Sequence, residues 1–394
     1  MVSHSRRTIR RDDCHCLLVQ KEIRKEMCQQ HQQKGKHWKE RVNRFNLENI
    51  LHHISFKIAA NMNLNDKQRN RHFLEEMLLL TSRNLPMITV KDNYTIVKEL
   101  GSGSYGHVLL AMNQAQGNIM ALKFIRKSTT DLQVFLIEYC VSLSLAAHPC
   151  IIGTFGIAFQ TDSHYVFAQE LAVDNLFSLM KPQVGVPEIL VKRCAIQLSS
   201  ALEYMHMKEL VHRDIKPENV LIFDHECRQI KLTDFGLSCT KGTSVESMPE
   251  NLPYTAPEMC ILGTSDKLIA QTSLDIWAFG VLIFSILTGY FPWNSAVTSD
   301  KDYVDYSKWH RSSRIFQIPN QWKLFSTEAL EMLKKLIAPE PGKRCSSKEV
   351  MNYLKSPWKA IPENKNLNPR GRLNDLSYLH GHLDNRNMNK NRGK

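Results

Sequence analysis

Residues 212–219 read His-Arg-Asp-Ile-Lys-Pro-Glu-Asn, and residues 234–236 read Asp-Phe-Gly. Each segment carries one aspartate, Asp214 in the first and Asp234 in the second. Hard oxygen donors of this kind suit Mg²⁺, and a carboxylate can also accept the proton of an attacking hydroxyl. Both kinds of chemistry are therefore open to these two aspartates.

A glycine-rich loop precedes both segments. Residues 101–108 read Gly-Ser-Gly-Ser-Tyr-Gly-His-Val, which is a G-x-G-x-x-G pattern. The pattern alone is weak, because dinucleotide-binding folds also use it, with the last glycine opening a helix. Here residues 107–110 continue as a strand, which favours a hairpin whose glycines let backbone N–H groups approach phosphates. An ordinary glycine-containing hairpin remains the alternative.

In this order, the three segments resemble the eukaryotic protein kinase family over residues 94–358. The resemblance implies an α+β, bilobal fold with an ATP cleft between a strand-rich lobe, about 94–170, and a helical lobe, about 171–358. It implies transfer of the γ-phosphate of ATP with Mg²⁺. Lys216, two residues after the catalytic aspartate, is typical of members that act on serine or threonine. A protein substrate with a Ser or Thr acceptor is therefore expected.

The resemblance also implies roles for single residues. Asp214 would accept the substrate proton, Lys216 would neutralise the γ-phosphate, and Lys123 would bind the α- and β-phosphates. Asn219 and Asp234 would hold Mg²⁺. The residues implied to bind the nucleotide are Leu100, Gly101, Gly103, Gly106, Val108, Ala121, Lys123, Glu138, Gln169, Leu171 and Leu221.

A carboxylate partner for Lys123 can be chosen by elimination. Between Lys123 and His148 the acidic residues are Asp131 and Glu138. Asp131 stands at the start of a predicted helix, where it would cap the first turn. Glu138 lies within that helix among apolar residues, where an unpaired charge would be costly. We therefore predict the pair Lys123–Glu138.

Further positions are expected to support the fold rather than the chemistry. The resemblance implies that Glu258 pairs with Arg344, that Asp275 caps the backbone of the catalytic loop, and that His212 packs under Phe235. Three hydroxyls between residues 236 and 251 are candidates for phosphorylation, with Arg213 as the partner of the phosphate. They are Thr243, Ser244 and Ser247.

Three residues depart from the family pattern. Asn251 stands where most Ser/Thr members carry a threonine, and Ser142 stands where an apolar residue is usual. Ala168 occupies the position at the back of the adenine pocket, where most kinases have a larger residue. A small residue there predicts an enlarged pocket that admits bulky purine analogues.

Several strings resemble the SH3-binding-domain kinase family more closely. They include residues 168–171, 253–258 and 287–293, together with Glu-Glu-Met-Leu-Leu-Leu-Thr-Ser at 75–82. The name of that family implies a proline-rich tract, but neither tail of this sequence contains P-x-x-P. SH3 docking is therefore not expected.

The net charge of +12 is concentrated outside the body of the chain. Residues 1–71, a predicted and mostly disordered extension, contribute +9, and residues 355–394 contribute +6. The two basic tails, residues 1–71 and 359–394, could attract nucleic acid or an anionic membrane. Solvated disorder is the alternative that a composition of this kind favours. Residues 72–93 read as a helical lead-in to the folded body.

The cysteine pattern and the hydropathy bear on location. Ten cysteines are scattered without a short-spaced framework, which favours a reducing compartment and hence a cytoplasmic location, with the nucleus as an alternative. We expect a monomer and no transmembrane segment.

Two other functions stay open: a pseudokinase scaffold, and a binding protein that acts through its tails. The first usually lacks Lys123, Asp214, Asn219 or Asp234, which are all present here.

Overall fold

The computed structural model describes residues 66–103, 106–246, 253–263, 265–312 and 318–360. Most of the two basic tails lies outside this part of the chain. Asn251 and Ser247 also lie outside it, so the expectations placed on them stay predictions.

Two helices precede the first strand: α1, Asp66–Arg83, and the short α2, Val90–Asn93. The sequence predicted a helix over residues 73–80, so the observed helix is longer at both ends. Met77 and Thr81, four residues apart and therefore on one face of α1, are both buried. This helix is thus part of the folded body.

An antiparallel sheet follows. Its strands are β1, Tyr94–Ser102; β2, Gly106–Asn113; β3, Ile119–Arg126; β4, Thr154–Gln160; and β5, His164–Gln169. They pair in the order β1-β2-β3-β5-β4. The strands predicted near residues 94–100, 107–111, 118–125, 151–159 and 165–169 are present with bounds shifted by a few residues. This sheet is the predicted strand-rich lobe.

The helix α3, Leu132–Leu145, lies between β3 and β4. Its N-cap is Asp131, whose carboxylate accepts a hydrogen bond from the Val134 N–H at 2.9 Å. The predicted capping role of Asp131 is therefore confirmed. Residues all around α3 are buried, which is typical of a helix covered on more than one side.

The chain becomes helical after β5, as predicted. The helices are α4, Glu188–Met207; α5, Pro257–Cys260; α6, Ser273–Thr288; α7, Lys301–Arg311; and α8, Thr327–Leu336. The apolar patterns of the sequence predict helices near residues 187–207, 273–287 and 327–336, which match α4, α6 and α8 to within a residue at each end, whereas α7 was not predicted. Short 3₁₀ helices also occur in this part, at Leu176–Leu179, Pro217–Asn219, Asn320–Leu324, Pro341–Lys343 and Ser347–Tyr353.

Short strand pairs frame the loops of this helical part. The strands are β6, Asp174–Asn175; β7, Leu210–Val211; β8, Val220–Ile222; β9, Ile230–Leu232; β10, Cys239–Thr240; β11, Ser244–Glu246; and β12, Lys267–Ile269. They form one three-stranded sheet, β6-β8-β9, and two strand pairs, β7-β10 and β11-β12. The segment 212–219 lies between β7 and β8, and residues 234–236 follow β9, so these small sheets fix both loops.

The helix α6 is the centre of the core of this lobe. Residues 274–288 are all buried, and the helix ends at Gly289, whose φ of +75° is left-handed. A Cβ at that glycine would lie 2.5 Å from the Lys181 carbonyl oxygen. The apolar run at 276–287, predicted to be a buried helix, is therefore confirmed as one. In the part of the chain that the structure describes, no helix is long and apolar enough to cross a bilayer.

Candidate active site

A buried carboxylate holds the backbone of the catalytic loop, residues 212–219, in place. Asp275, on α6, accepts hydrogen bonds from the backbone N–H groups of His212 at 2.9 Å and Arg213 at 2.8 Å. The oxygen that accepts from His212, Oδ2, also lies 2.8 Å from Nε2 of His206. Burial opposes ionisation of Asp275, but its hydrogen bond to His206 and the nearby imidazoles outweigh it and lower its pKa. The predicted cap is therefore present.

Asp214 projects from this loop with two hydrogen-bond donors beside it. The Lys216 ammonium lies 2.8 Å from Oδ2 and 3.0 Å from Oδ1 of Asp214. The Asn219 side-chain N–H₂ donates to Oδ2 and to the backbone carbonyl of Asp214, both at 2.8 Å. These contacts hold the Asp214 carboxylate in one orientation, which a general base requires.

The second aspartate lies across the cleft, next to the strand lysine. Nζ of Lys123, on β3, contacts the Glu138 carboxylate and lies 3.1 Å from Oδ1 of Asp234. The Glu138 side chain is buried, whereas 42% of the Asp234 side chain is exposed. The predicted Lys123–Glu138 pair is therefore present, and Asp234 is the accessible member of the three.

Electrostatics link the two aspartates through Lys216. Burial favours the neutral amine of Lys216, but the carboxylate of Asp214, its hydrogen bond and the carboxylate of Asp234 outweigh that effect and raise its pKa. Burial likewise opposes ionisation of Asp234, but the Lys123 ammonium holds the pKa of that carboxyl below its usual value. Both aspartates therefore face shared positive charge, as expected of residues in one site.

The backbone at Asp234 is unusual. Its φ is +66°, in the left-handed region that residues other than glycine rarely adopt. The ring of Phe235, the next residue, is fully buried, with its centroid 5.2 Å from that of His212. Burial lowers the pKa of His212, so this imidazole packs as a neutral ring. The predicted contact between His212 and Phe235 is thus present, and it anchors the loop that carries Asp234.

The described glycines of the glycine-rich segment lie where β1 ends and β2 begins. A Cβ at Gly101 or Gly103 would meet no atom of the described residues within 4 Å, so both glycines face open space. Gly106 differs, because a Cβ there would lie 1.8 Å from the Phe124 carbonyl oxygen. We conclude that close packing of β2 on β3 requires this glycine, in addition to any approach to phosphate.

Most of the residues implied to bind the nucleotide lie on the large sheet, on the segment that follows β5, and on β8. Val108 pairs with Lys123 across β2 and β3, and Ala121 pairs with Gln169 across β3 and β5. Leu100 is exposed on β1, and Leu171 and Leu221 are half-buried. The Gln169 amide, however, turns into the interior, so the backbone of this residue is the part left for a ligand.

Comparisons with known proteins agree with this geometry. The family model for the protein kinase domain matches residues 94–358. A serine/threonine-protein kinase SBK1 of Danio rerio is 49% identical over 290 residues, which cover 73% of this chain and 75% of the relative. The SBK1 of Mus musculus is 48% identical, covering 71% and 67%, and the SBK2 of Homo sapiens is 40% identical, covering 75% and 86%.

The chain belongs to the serine/threonine protein kinase family. Its resemblance to the SH3-binding-domain kinases, predicted from short strings, is confirmed by these relatives.

A buried polar cluster in this kinase was not predicted. Ser142, one of the departures from the family pattern, contacts the Thr154 hydroxyl, and the Gln169 amide donates to both oxygens at 3.2 Å. All three side chains are buried. The serine is therefore satisfied by polar partners from β4 and β5, which removes the cost of a lone buried hydroxyl.

The connection between β5 and the helical lobe carries a second unpredicted contact. Glu170 accepts from the backbone N–H of Gly153 and from the Lys231 ammonium on β9. Because Lys231 lies three residues before Asp234, this pair ties the connection to the strand that leads to Asp234. Sequence spacing gave no signal for it, since Glu170 and Lys231 are 61 residues apart.

The predicted pair of Glu258 and Arg344 is present as a bidentate contact. The two guanidinium N–H₂ groups lie 2.6 Å from the two carboxylate oxygens. The Arg344 side chain is fully buried, and its guanidinium lies 4.9 Å from the ring centroid of Trp277. This geometry fixes the segment after residue 253 against α6.

The structure describes two of the three candidate phosphorylation sites. Thr243 is half-buried, with its hydroxyl 2.9 Å from that of Thr240, and Ser244 is exposed on β11. Arg213, the predicted partner of a phosphate, has a φ of +70° and donates to the Leu237 carbonyl at 3.1 Å. Phosphorylation of this segment stays a prediction.

Proposed function

We propose that this kinase is catalytically active and transfers the γ-phosphate of Mg·ATP to serine or threonine hydroxyls of proteins. The observation that carries the proposal is the pair of aspartates around shared cations. Asp214 is held by Lys216 and Asn219, while Asp234 stays accessible beside Lys123. The first has the contacts of a base, and the second has the exposure of a ligand.

The chain's own residues would divide the reaction as follows. The Asp214 carboxylate accepts the proton of the substrate hydroxyl and orients the hydroxyl oxygen toward the γ-phosphorus of ATP. The Lys216 ammonium, beside Asp214, stabilises charge on the transferred group. Lys123 holds the nucleotide phosphates while Glu138 fixes its orientation. Phosphoryl transfer needs little else, since positioning and charge supply most of the acceleration.

The oxygen donors present fit Mg²⁺. Asn219 directs its N–H₂ toward Asp214, which leaves its amide oxygen free to join the Asp234 carboxylate as a ligand. Among the described residues, no cluster of three or more His, Cys, Asp or Glu side chains could hold a metal ion. Mg²⁺ is commonly held by one or two protein oxygens together with substrate phosphates, and Asn219 and Asp234 are the protein ligands proposed here. Mg²⁺ bound there would offset the charge of the phosphates.

A pocket beside Asp214 suits the substrate chain. It is small and mainly lined by apolar groups of the catalytic loop, the 254–259 segment and α6. Ile215, Tyr254 and Met259 contribute to this lining, with Asp214 and Lys216 at one side. An apolar substrate residue next to the acceptor is the chemistry that this pocket favours.

Glu218 offers a second clue to the substrate. One of its carboxylate oxygens is buried and, among the described residues, has no hydrogen-bond partner. Burial raises the pKa of this carboxyl. A basic side chain of a substrate would satisfy the oxygen, so a preference for Arg or Lys near the acceptor is part of the proposal.

Phosphorylation of a peptide array tests the proposed function directly. We expect wild-type kinase to label Ser and Thr peptides in an Mg²⁺-dependent manner, with more signal where an apolar residue adjoins the acceptor. The matched control is Asp214→Ala on the same array. Equal labelling by both proteins, or labelling of tyrosine peptides alone, would contradict the proposal.

Replacement of Ala168 tests the size of the adenine pocket. Ala168 is fully buried on β5, opposite Leu122 of β3. We expect Ala168→Met to weaken binding of purine analogues with bulky substituents by at least about tenfold, because the larger side chain fills their space, and to leave ATP affinity unchanged. Competition against a fluorescent nucleotide measures both affinities. Equal binding of the bulky analogues by both proteins would contradict an open pocket.

Other expectations from the sequence are unchanged by the structure. A scaffold role is not favoured, because Lys123, Asp214, Asn219 and Asp234 are present and mutually arranged for chemistry. Contacts of the basic tails with nucleic acid or membranes, a cytoplasmic or nuclear location, and a monomeric state remain predictions. Salt-dependent binding of the tails to nucleic acid or anionic vesicles would test the first of these.

A further inference from the structure

The helix α1 packs against α3, the helix that carries Glu138. Leu74, Met77 and Thr81 recur at spacings of three and four and so lie on one face of α1. Met77 is 2% exposed and Thr81 7%, while Leu79 on the opposite side is 48% exposed. Leu74 packs against the core cluster that includes Val141 of α3. The helix therefore presents one buried face to α3.

A polar contact fixes the position of one helix on the other. The Cys140 thiol, on α3, lies 3.7 Å from Oγ1 of Thr81 on α1, to which it can donate. Cys140 is fully buried, and burial raises the pKa of its thiol to about 12. The thiol is thus neutral and covered, and α1 contributes to that cover.

The segment after α1 is anchored to the sheet. Gln160, at the end of β4, donates its backbone N–H to the Pro86 carbonyl at 2.8 Å and accepts from the Ile88 N–H at 2.9 Å. Its side-chain amide also donates to the Leu85 carbonyl at 3.1 Å. Three hydrogen bonds at one residue therefore hold the C-terminal end of α1 beside the sheet.

This arrangement clamps α3 between two surfaces. One surface is the sheet, where Glu138 reaches Lys123, and the other is α1, where Cys140 reaches Thr81. Glu138 and Cys140 are two residues apart and so lie on opposite sides of α3. Movement of α3 away from the sheet would require α1 to move or to separate from it.

We propose that α1 is a built-in positioning element, whose Met77 and Thr81 hold α3 where Glu138 meets Lys123. The residues outside the 94–358 kinase domain would then set the geometry of the phosphate-binding lysine. The part of this inference that concerns rate rests on the proposed kinase activity, whereas the packing can be tested without it.

The first test follows the reactivity of Cys140 in the full chain. We expect Met77→Glu, which puts a charge into the interface, to raise the rate of Cys140 alkylation by iodoacetamide at least about tenfold, because local opening exposes the thiol and lowers its pKa. Mass spectrometry identifies the labelled cysteine. Leu79→Glu, on the exposed face, and Met77→Leu, which conserves the packing, should leave the rate unchanged.

Cys194 reports whether the variant unfolds as a whole. It is fully buried on α4 in the other lobe, so its protection should persist in Met77→Glu. Labelling of Cys140 with Cys194 still protected supports docking of α1 on α3. Unchanged protection of Cys140 in Met77→Glu would overturn it. If both cysteines react, Thr81→Arg replaces Met77→Glu, and protection of Cys140 there would also overturn it.

The second test asks whether α1 acts through Glu138. We expect Met77→Glu to lower kcat about ten- to a hundredfold with little change in KM for ATP, since a small misplacement of a catalytic contact has effects of that size. In a Glu138→Gln background, the same substitution should cost less than about twofold. Additive losses in the double variant would overturn the positioning role, even with Cys140 labelled. A wild-type protein without activity would instead contradict the proposed function.

Discussion

Asp234→Asn should abolish Mg²⁺-dependent nucleotide binding together with phosphoryl transfer. Asp234 is the accessible carboxylate beside Lys123, and the amide that replaces it keeps the size but not the charge. Removal of one preorganised electrostatic group commonly costs about 10²–10³ in rate, and we expect at least that loss here. Steady-state kinetics over a range of Mg²⁺ concentrations measures the change.

Thermal unfolding separates lost binding from lost chemistry. A nucleotide that binds the folded kinase should raise the wild-type Tm by several degrees at saturation, but only with Mg²⁺ present. In Asp234→Asn this Mg²⁺-dependent rise should disappear, while Asp162→Asn, in the exposed turn between β4 and β5, should behave as wild type. An undiminished rise in Asp234→Asn would contradict the assignment of this residue as a metal ligand.

The pH dependence of this effect follows from the pKa of Asp234. The Lys123 ammonium outweighs the opposing effect of burial and lowers that pKa from its usual value of 3.8. A lowered pKa means that the carboxylate is charged throughout the neutral range, and that its contribution is lost only as pH falls through the lowered value. Wild type and Asp234→Asn should therefore differ in their Mg²⁺-dependent rise in Tm by the same amount at every pH between about 6 and 8.

The parts of the fold that the sequence predicted well are those with local causes. The helix α8 begins after Ser326, whose hydroxyl caps the Ala329 N–H at 3.1 Å, and its apolar residues recur with helical spacing. The strands of the first lobe were predicted because alternating apolar runs end at glycine turns such as Gly117, with a φ of +73°. Short-range chemistry of this kind can be read from neighbouring residues.

The helix α7 shows how a local signal can be overlooked. Its sequence is polar on average, but Tyr303, Tyr306 and Trp309 recur every three residues and are buried on one face. Asp300 caps it by accepting from the Tyr303 N–H at 3.1 Å. An N-cap aspartate followed by aromatic residues at this spacing was the available signal.

The polar contacts that join distant segments could not be predicted. Ser142 was noted as a departure from the family pattern, yet the partners that make it acceptable, Thr154 and Gln169, come from two strands farther along the chain. The docking of α1 on Cys140 spans 59 residues in the same way. Such contacts depend on tertiary packing, for which one sequence carries no periodic signal.

The candidate site was predictable to a larger extent, because its chemistry needs particular residue types in a fixed order. The elimination that chose Glu138 as the partner of Lys123 depended on the scarcity of acids in one helix, and the structure places the two in contact. What the motif could not give is the second function of Gly106, which the close approach of the Phe124 carbonyl imposes. Nor could it give the contact between Glu170 and Lys231, three residues before Asp234.

Asp214→Asn should lower kcat without the loss of nucleotide binding that is expected for Asp234→Asn. The Asp214 carboxylate contacts Lys216 and Asn219 but is not placed to hold the nucleotide, so the loss should fall on kcat alone. Proton transfer by a positioned side chain contributes about 10²–10⁴ in rate, and we expect a decrease of that size. Single-turnover kinetics with bound Mg·ATP measures it.

Nucleotide affinity is the control that separates a loss of phosphoryl transfer from a loss of nucleotide binding. The Mg²⁺-dependent rise in Tm with nucleotide should persist in Asp214→Asn, because Lys123, Asn219 and Asp234 keep their places. The amide would bring one N–H₂ group against the donors of Lys216 and Asn219, so Asp214→Ala, which removes that conflict, should give a similar loss of kcat. A pseudokinase would show nucleotide binding in all three proteins and no difference in phosphorylation between them. Only an active kinase with Asp214 as its base gives retained binding and lost transfer together.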